Sequence, residues 1–272
     1  MRALRRVAIP GLAASLALAA PVAGAAGFAF TAQSRSVSVT ITQRTLACWP
    51  PPTGCSVITT TNYADSEGAP DFSPFSATAS VAPFTAIFAT QASTLSASTL
   101  VAQGNGTHSG SGGLSTPPNT YATVESTSAT LHRVSFDVDA ATPYRLSGSA
   151  RSTGGLSANA TTRITLKTSG GATLAEVVAA TDPNCQDPGC ATVGPLPVAS
   201  YGVLAPGSYV LEVEASGAAS PFYFAGSFLA LTSTWDYDVR LDEVQAPALS
   251  PAGLALLVLA LSLAARAARF AS

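Results

Sequence analysis

Charged side chains are scarce in this sequence. Asp, Glu, Lys and Arg together make up 10% of the 272 residues, whereas an ordinary soluble domain has roughly 25%. Lys167 is the only lysine, so a single ammonium group is available for Schiff-base or phosphate chemistry, and we expect it on the surface. Because 47% of the residues are hydrophobic, the chain can bury a sizeable core, and Ser and Thr must supply much of the polar surface.

Basic residues are especially few in the middle of the chain. Three arginines lie among the first six residues, and Arg266 and Arg269 lie near the other end. Eight basic residues therefore stand between them against all 15 acidic residues, which gives this part a net charge of about −7. No Lys or Arg occurs between Arg44 and Arg133. Because a phosphate backbone requires a basic face, we exclude nucleic acid as a partner.

Sequence motifs for catalysis and cofactor binding are also missing. The sequence has no phosphate-binding glycine loop and no dinucleotide fingerprint. His108 and His132 both lack a nucleophile-elbow context, and we expect both to face solvent. The cysteine spacings match neither a redox pair nor an ordinary zinc site. We therefore predict no catalytic residue, no cofactor and no metal site, and a protein that is not an enzyme.

The first residues have the three parts of a secretory signal peptide. Arg2, Arg5 and Arg6 precede a short apolar stretch, and the small residues Ala23-Gly24-Ala25 follow it. A basic start, a short apolar centre and a small-x-small exit are typical of such peptides. We predict a signal peptide over residues 1–25, cleaved after Ala25.

The four cysteines form two short-range pairs in the sequence, Cys48 with Cys55 and Cys185 with Cys190. The segments between the partners are rich in Pro and Gly, which turn a chain back on itself. An even number of cysteines in an exported chain indicates disulfides. The local pairing is the simplest of three possible connectivities.

Apolar and polar residues alternate at period two through much of the chain. In Ser36–Thr42 the valines and the isoleucine share one face and the hydroxyls share the other, which is typical of a half-buried strand. No segment has a convincing helical period. We predict an antiparallel β-sandwich of jelly-roll type in one domain over residues 27–244. Further strands are predicted at His132–Asp139, Thr162–Lys167, Ala172–Ala180, Leu204–Glu214, Tyr223–Thr232 and Trp235–Val244.

Between Ser76 and Thr130 the composition shifts toward Ser, Thr and Ala. This stretch still contains many residues of the type found in cores, so we predict long, hydroxyl-rich strands here. Glycine is concentrated in Gln103–Gly113, which we predict to be a flexible loop.

Several carboxylates lie two residues apart on predicted strands, so each set shares one face. Such oxygens could bind calcium or act as an acid and base pair. The interpretation that we favour is a set of solvated outer faces, because the few acids of the chain must lie outside. The sets are Asp137 with Asp139, Glu212 with Glu214, and Asp236 with Asp238 and Asp242.

A long apolar run lies near the end of the sequence. Ala252–Ala265 is apolar apart from Ser262, and the run extended back to Ala246 has 20 residues, enough to span a bilayer. Arg266 and Arg269 follow as a basic stop, as the positive-inside rule requires. We predict that residues 246–272 form a segment with a single transmembrane helix.

The residues ahead of this run carry a resemblance. Residues 247–253 read Pro-Ala-Leu-Ser-Pro-Ala-Gly, and with the apolar run and the arginines they resemble the tripartite C-terminal sorting signals of the PEP-CTERM class. The most similar variant reads Pro-Thr-Leu-Ser-x-Trp-Gly. This sequence has Ala248 in place of the threonine and Ala252 in place of the tryptophan. The matching positions are Pro247, Leu249, Ser250 and Gly253.

The body of the chain resembles the same class. Val134–Asp139, Tyr144–Ser149 and Leu204–Tyr209 are similar in order and spacing to Ser-rich exported domains that precede such signals. The resemblance implies an exported protein of a Gram-negative bacterium that an exosortase-like enzyme processes. It also implies transient insertion in the inner membrane, followed by the cell surface or the extracellular matrix and association with extracellular polysaccharide.

We therefore expect a non-enzymatic surface or matrix protein. The alternative is a carbohydrate-binding jelly-roll module, in a calcium-dependent or calcium-independent form, whose exposed aromatic rings stack on sugars. A coplanar exposed pair of rings would favour this alternative. The candidate rings are Trp235, Tyr237, Tyr201 and Trp49.

Overall fold

The computed structural model describes residues 27–48, 54–115, 120–155, 157–182, 192–224, 227–229 and 231–244. The predicted signal peptide, the Cys185–Cys190 pair and the C-terminal segment fall outside these ranges. Within the ranges, every regular element is a β-strand, and no helix has the length and apolar character needed to cross a membrane. The prediction of an all-β chain is confirmed.

The described residues form 14 strands. They are β1 (Ala29–Cys48), β2 (Cys55–Gly68), β3 (Phe75–Ser80), β4 (Phe88–Ser96), β5 (Thr99–Ser115), β6 (Thr120–Val138), β7 (Thr142–Thr153), β8 (Ala158–Thr168), β9 (Thr173–Ala180), β10 (Thr192–Leu204), β11 (Gly207–Ala219), β12 (Phe222–Phe224), β13 (Ser227–Leu229) and β14 (Leu231–Glu243).

Twelve of these strands make two layers, and all their pairings are antiparallel. Layer A has the order β2-β1-β6-β11-β8-β9, and layer B has the order β3-β4-β5-β14-β7-β10. Strand β5 joins the layers, because its first part pairs with β4 and β14 whereas Ser111–Ser115 pair with β6 in layer A. The edge strands β9 and β10 contact each other across the other side. The result is a sandwich-like sheet that is nearly closed.

The core lies between the two layers and follows the predicted alternation. Val37, Val39 and Ile41 of β1 are at most 1% exposed, and so are Leu211 and Val213 of β11. The intervening polar residues point outward, because successive side chains of a strand alternate between its faces. Burial of these apolar side chains is the main force that holds the two layers together.

The glycine-rich stretch Gln103–Gly113 is part of strand β5 and does not form the flexible loop that its composition predicts. Gly104 and Gly106 face the interior, each opposite an aromatic residue of β14. A Cβ added at Gly104 would stand 2.8 Å from the ring of Tyr237, and one at Gly106 would stand 2.2 Å from the ring of Trp235. Glycine is present here because large rings occupy the space, and a glycine so covered is stabilised within a sheet.

The predicted strand Tyr223–Thr232 is also wrong as a single element. Phe224 pairs with Ser227, so the chain reverses and β12 and β13 form a small separate hairpin. Strand β14 then begins at Leu231 and returns to layer B. Composition alone does not show this reversal, since apolar residues continue through both arms of the hairpin.

Both ends of the sandwich-forming chain meet at one turn. The amide of Phe28 donates a hydrogen bond to the carbonyl of Ala97 (2.7 Å), and the amide of Glu243 donates one to the carbonyl of Ser98 (2.8 Å). These two carbonyls belong to the connection between β4 and β5. The chain therefore enters and leaves the sandwich at the same end.

The disulfide between Cys48 and Cys55 is confirmed. The two cysteines face each other at the end of the β1–β2 pairing. This bond therefore fixes the register of the two strands at the end of the molecule away from the Ala97–Ser98 turn.

Candidate functional site

Inside the sandwich, His108 is the centre of a buried hydrogen-bond network. Its Nε2 lies 2.7 Å from the carbonyl oxygen of Asn159, which can only accept, so Nε2 carries the proton. Its Nδ1 then accepts a hydrogen bond from the hydroxyl of Ser128 at 3.0 Å. The indole Nε1 of Trp235 donates to the same Ser128 oxygen at 2.9 Å. Ser233 Oγ also contacts Nε2 of the histidine.

The prediction that His108 faces solvent is wrong. Its side chain is 0% exposed, and burial lowers its pKa to about 4. The ring is therefore neutral at pH 7. A serine beside an imidazole is the arrangement of a nucleophile and its base, but here the Nε2 proton points at the Asn159 carbonyl and solvent does not reach the ring. The network's evident role is to satisfy polar groups between the layers.

A second buried polar cluster surrounds Arg35. The guanidinium is 1% exposed and packs over the ring of Phe75 at 5.7 Å. Burial lowers the pKa of Arg35, against the opposing effect of the Asp71 charge. Its hydrogen bonds go to Ser93 Oγ (3.1 Å), to the carbonyl oxygens of Ser73 (3.0 Å) and Asp71, and to Gln33 Oε1 (3.2 Å). Arg35 thereby holds the β2–β3 connection against the sandwich.

His132 lies beside Arg35 and is likewise buried, contrary to prediction. The two residues are paired in the β1–β6 register. Burial, followed by the charge of Arg35, lowers the pKa of His132 to about 3. Among the described residues, neither ring nitrogen has a hydrogen-bond partner, and the same is true of the side-chain amide of Gln91. These orphaned polar atoms make this the least satisfied part of the core.

The sequence did contain a signal for these buried residues. Arg35 lies two residues before Val37, and His132 lies two residues before Val134, so the period-two alternation places both inward. For His132 we expected the opposite, because titratable side chains are rarely buried. In this protein the alternation outweighs that tendency, because the neighbouring strands supply partners for Arg35.

The predicted carboxylate sets lie on the outer faces. Lys167 Nζ forms an ion pair with Glu212 at 2.5 Å. Burial raises the pKa of Glu212, but the hydrogen bond and charge of Lys167 lower it overall. Burial raises the pKa of Glu214, and its neighbour Glu212 raises it further. In the part of the chain that the structure describes, no three acidic, histidine or cysteine side chains converge as metal ligands would.

The outer face of layer A holds a shallow basin of about 390 Å³ over β6, β11, β8 and β9. Arg163 approaches Glu176 at 3.6 Å, and the Lys167–Glu212 pair lies beside them. The basin is lined by Arg133, Arg163, Lys167, Glu176, Glu212 and Glu214 among other residues. Since three positive and three negative side chains alternate, the basin has no net charge to select an anion or a cation.

The outer face of layer B holds a groove of about 320 Å³ with a different chemistry. Thr90 Oγ1 lies 3.3 Å from the carbonyl oxygen of Asn105 on the neighbouring strand. Hydroxyls, amides and a single carboxylate thus converge without a basic group. The exposed or half-buried polar residues that line the groove are Ser76, Thr78, Thr90, Gln103, Asn105 and Asp236.

The candidate aromatic platforms do not form an exposed pair. Trp235 is 1% exposed and Tyr237 is 3% exposed, so neither ring can be the exposed platform that the carbohydrate-binding alternative requires. Their rings stack at 6.3 Å, but they do so over the glycines of β5 inside the sandwich. Tyr201 is 87% exposed near the free side of β10. Trp49 lies outside the described residues.

Comparisons with known sequences and solved structures do not assign a function to these surfaces. No protein family and no curated protein matches the sequence. A solved structure of infectious bursal disease virus, Gx strain, is 12% identical with a TM-score of 0.24; the match covers 82% of this chain and 58% of the viral one. The VP2 subviral particle of this virus is also 12% identical, with a TM-score of 0.22 and coverages of 81% and 63%.

A secreted protein from Parabacteroides distasonis gives a weaker match. It is 8% identical over 82% of this chain and 77% of the other, with a TM-score of 0.17. This chain spans about three fifths of the length of the viral chains. At these TM-scores the likeness assigns neither a family nor a function.

Proposed function

We propose that the protein is an exported, non-enzymatic component of the cell surface or the extracellular matrix, associated with exopolysaccharide. The observation that supports this most directly is the row of uncharged hydrogen-bonding groups across the outer face of layer A. Thr40 Oγ1 lies 2.6 Å from Thr127 Oγ1 on β6, and Thr42 donates to Asn62 on β2 at 3.1 Å. Such rows can exchange hydrogen bonds with sugar hydroxyls without any net charge.

The position of the chain ends fits export and anchoring. Phe28 and Glu243 both bind the Ala97–Ser98 turn, so a signal peptide before Gly27 and a membrane segment after Val244 would hold the sandwich by one end. In this proposal Pro247, Leu249, Ser250 and Gly253 are read by an exosortase-like enzyme. Arg266 and Arg269 stop the transfer of the apolar run during a transient stay in the inner membrane.

Mass spectrometry of the mature protein from its Gram-negative host tests this proposal. We expect a chain that begins after Ala25, ends near Pro247 and carries attached material. A chain that keeps Ser272 and stays in the inner membrane would contradict the proposed cleavage by an exosortase-like enzyme. Ser250→Ala, within the motif, should block the cut, whereas the matched change Ser262→Ala, within the apolar run, should leave it intact.

The groove on layer B favours a second candidate, a carbohydrate-binding module. In this candidate the two layers form a jelly roll, as the strand pattern predicts, and the groove binds a neutral glycan through hydrogen bonds rather than stacking. Asp236 would accept from sugar hydroxyls, and Gln103 and Asn105 would both donate and accept. A calcium-dependent form of this candidate would need several acidic side chains that converge on the ion, and the described residues contain no such cluster.

Calorimetric titration with neutral oligosaccharides tests the second candidate. We expect Asp236→Asn to weaken binding by about tenfold, since a charge-assisted hydrogen bond contributes about 1.5 kcal/mol or more. Asp139→Asn is the matched control, because Asp139 is exposed beyond the end of β6. Equal binding by the two variants would reject the groove as the site.

A further inference from the structure

Three exposed apolar side chains lie close together at the end of layer B where the chain leaves the sandwich. Val203 is paired with Pro143, and the amide of Val244 donates to the Pro143 carbonyl at 2.9 Å, so the two valines flank one residue of β7. Tyr201 precedes Val203 by two residues and shares its outward face. Tyr201, Val203 and Val244, here called the end patch, are 87%, 63% and 43% exposed.

Two arginines, Arg145 and Arg240, and two acids, Asp242 and Glu243, lie beside the end patch. Arg145 is exposed and is the cross-strand partner of Tyr201. Asp242 lies on its other side, but Arg240 Nε binds both oxygens of this carboxylate at 2.9 and 2.7 Å, and Thr99 donates to it at 2.9 Å. Arg240 and Thr99 thus take up the hydrogen-bonding capacity of Asp242, the single acid of this row. The charge of Arg145 also acts on Asp242, but its exposed guanidinium is still accessible to an external anion.

The length of the chain between Val244 and the apolar run limits how far the end patch can lie from a membrane that the run crosses. Seven residues separate Val244 from Ala252, where the run that is apolar apart from Ser262 begins. Fully extended, seven residues reach at most about 25 Å. If the apolar run crosses a bilayer, the end of the sandwich that carries the patch stays within that distance of the membrane surface.

We infer that the end patch docks on the phospholipid headgroup layer while the chain is anchored. Tyr201 inserts its ring at the interface, the position that Tyr and Trp favour in membrane proteins. Val203 and Val244 bury apolar surface beside it, and Arg145 binds a lipid phosphate. Two exposed valines offer a polysaccharide no hydrogen bonds, so a bilayer is the occupant that this surface fits. The inference rests on the proposed function, because it takes the apolar run as the membrane segment.

Spin labels in the full-length chain, reconstituted in phosphatidylcholine vesicles, test the docking. One nitroxide is attached at a time through Tyr201→Cys, Val178→Cys or Leu257→Cys. Val178 is a matched control, since it is an exposed residue on the other layer (37% exposed), and Leu257 lies in the apolar run. Collision with oxygen, which partitions into lipid, is compared with collision with a water-soluble nickel chelate. We expect oxygen to dominate at positions 201 and 257, and the chelate to dominate at 178.

The outcomes separate the inference from the proposed function. If position 257 favours oxygen while position 201 behaves like 178, the membrane segment stands and the docking is overturned. If position 257 favours the chelate, the chain is not anchored, and both fail. Shielding of position 201 by added polysaccharide, with none from the vesicle, would also overturn the docking and assign the patch to a glycan.

Discussion

The indole of Trp235 lies directly against Gly106 on the neighbouring strand, where a Cβ would stand 2.2 Å from ring atom Cζ2. The same ring donates its Nε1 proton to Ser128, which in turn binds His108. A glycine of β5, a ring of β14 and a polar group of β6 thus meet between the layers. This contact explains both the glycine at position 106 and the burial of the tryptophan.

Gly106→Ala should destabilise the protein strongly. The added methyl group would collide with a ring that is 1% exposed and has no room to move. Overpacking of this kind costs about 1–3 kcal/mol or more, which a urea unfolding curve would measure. Gly113→Ala is the matched control on the same strand, because nothing lies within 4 Å of its added Cβ. Equal loss in the two variants would contradict the packing argument.

The two buried histidines should respond oppositely to replacement by leucine. His132→Leu removes two ring nitrogens that have no partner among the described residues, so we expect a neutral or stabilising effect at pH 7. His108→Leu removes both the Nε2 donor to the Asn159 carbonyl and the Nδ1 acceptor of the Ser128 hydroxyl, and we expect a loss of about 1–3 kcal/mol. Melting temperatures of the two variants test this prediction. A larger fall in melting temperature for His132→Leu than for His108→Leu would contradict it.

Acid should destabilise the protein through these same histidines. Burial holds the pKa of His108 at about 4 and that of His132 at about 3, whereas an unfolded histidine titrates near 6.5. Between these values the unfolded chain binds more protons than the folded one, so stability falls as the pH falls from about 6.5 toward 4. Above pH 7 their contribution is fully present and constant.

Each histidine can contribute a slope of up to about 1.4 kcal/mol per pH unit in that window. Urea unfolding at a series of pH values measures the slope. Because carboxylates also titrate in acid, His132→Leu serves as the comparison, and its slope between pH 6 and 4 should be shallower than that of the parent protein. An unchanged slope would contradict the burial of a neutral His132.

Arg35→Lys should destabilise the protein although it preserves the charge. A lysine cannot reproduce the planar fork that reaches Ser93 and the Ser73 carbonyl together. We expect a loss of about 3 kcal/mol, the usual result of breaking up a buried charged group's contacts, and faster proteolysis near Ser73. Arg133→Lys, at an exposed position, should change stability by less than about 0.5 kcal/mol.

Replacing Cys48 and Cys55 together by alanine should loosen the far end of the β1–β2 pair. The closed loop is short, with a sequence separation of seven, so the expected loss is roughly 2–3 kcal/mol. Amide hydrogen exchange should accelerate at Ser56–Thr59, which lie beside the bond. Exchange at Val134–Val138, in the central strand of layer A, reports only global opening and is the internal control.

Much of the fold could be predicted because alternation is a local property. Val37, Val39 and Ile41 had to share a face whatever the topology, and a strand that buries such a face needs a second layer. The partners of Arg35 could not be predicted in this way. Ser73 and Ser93 lie 38 and 58 positions further along the chain, and only the packing of β3 and β4 on β1 brings them near.

The alternating strands follow from the amino-acid order alone, since they depend on residue types two positions apart. The scarcity of charge follows from the composition, whereas the order makes Cys48 with Cys55 only the simplest of three pairings. The tertiary structure decided which residues lie inside. His108, Trp235 and Gly106 come from two strands of layer B, and their neighbour Ser128 comes from layer A. Their burial follows from a close approach of distant segments that no short stretch of sequence records, because a polar side chain is buried only where the fold supplies its partners.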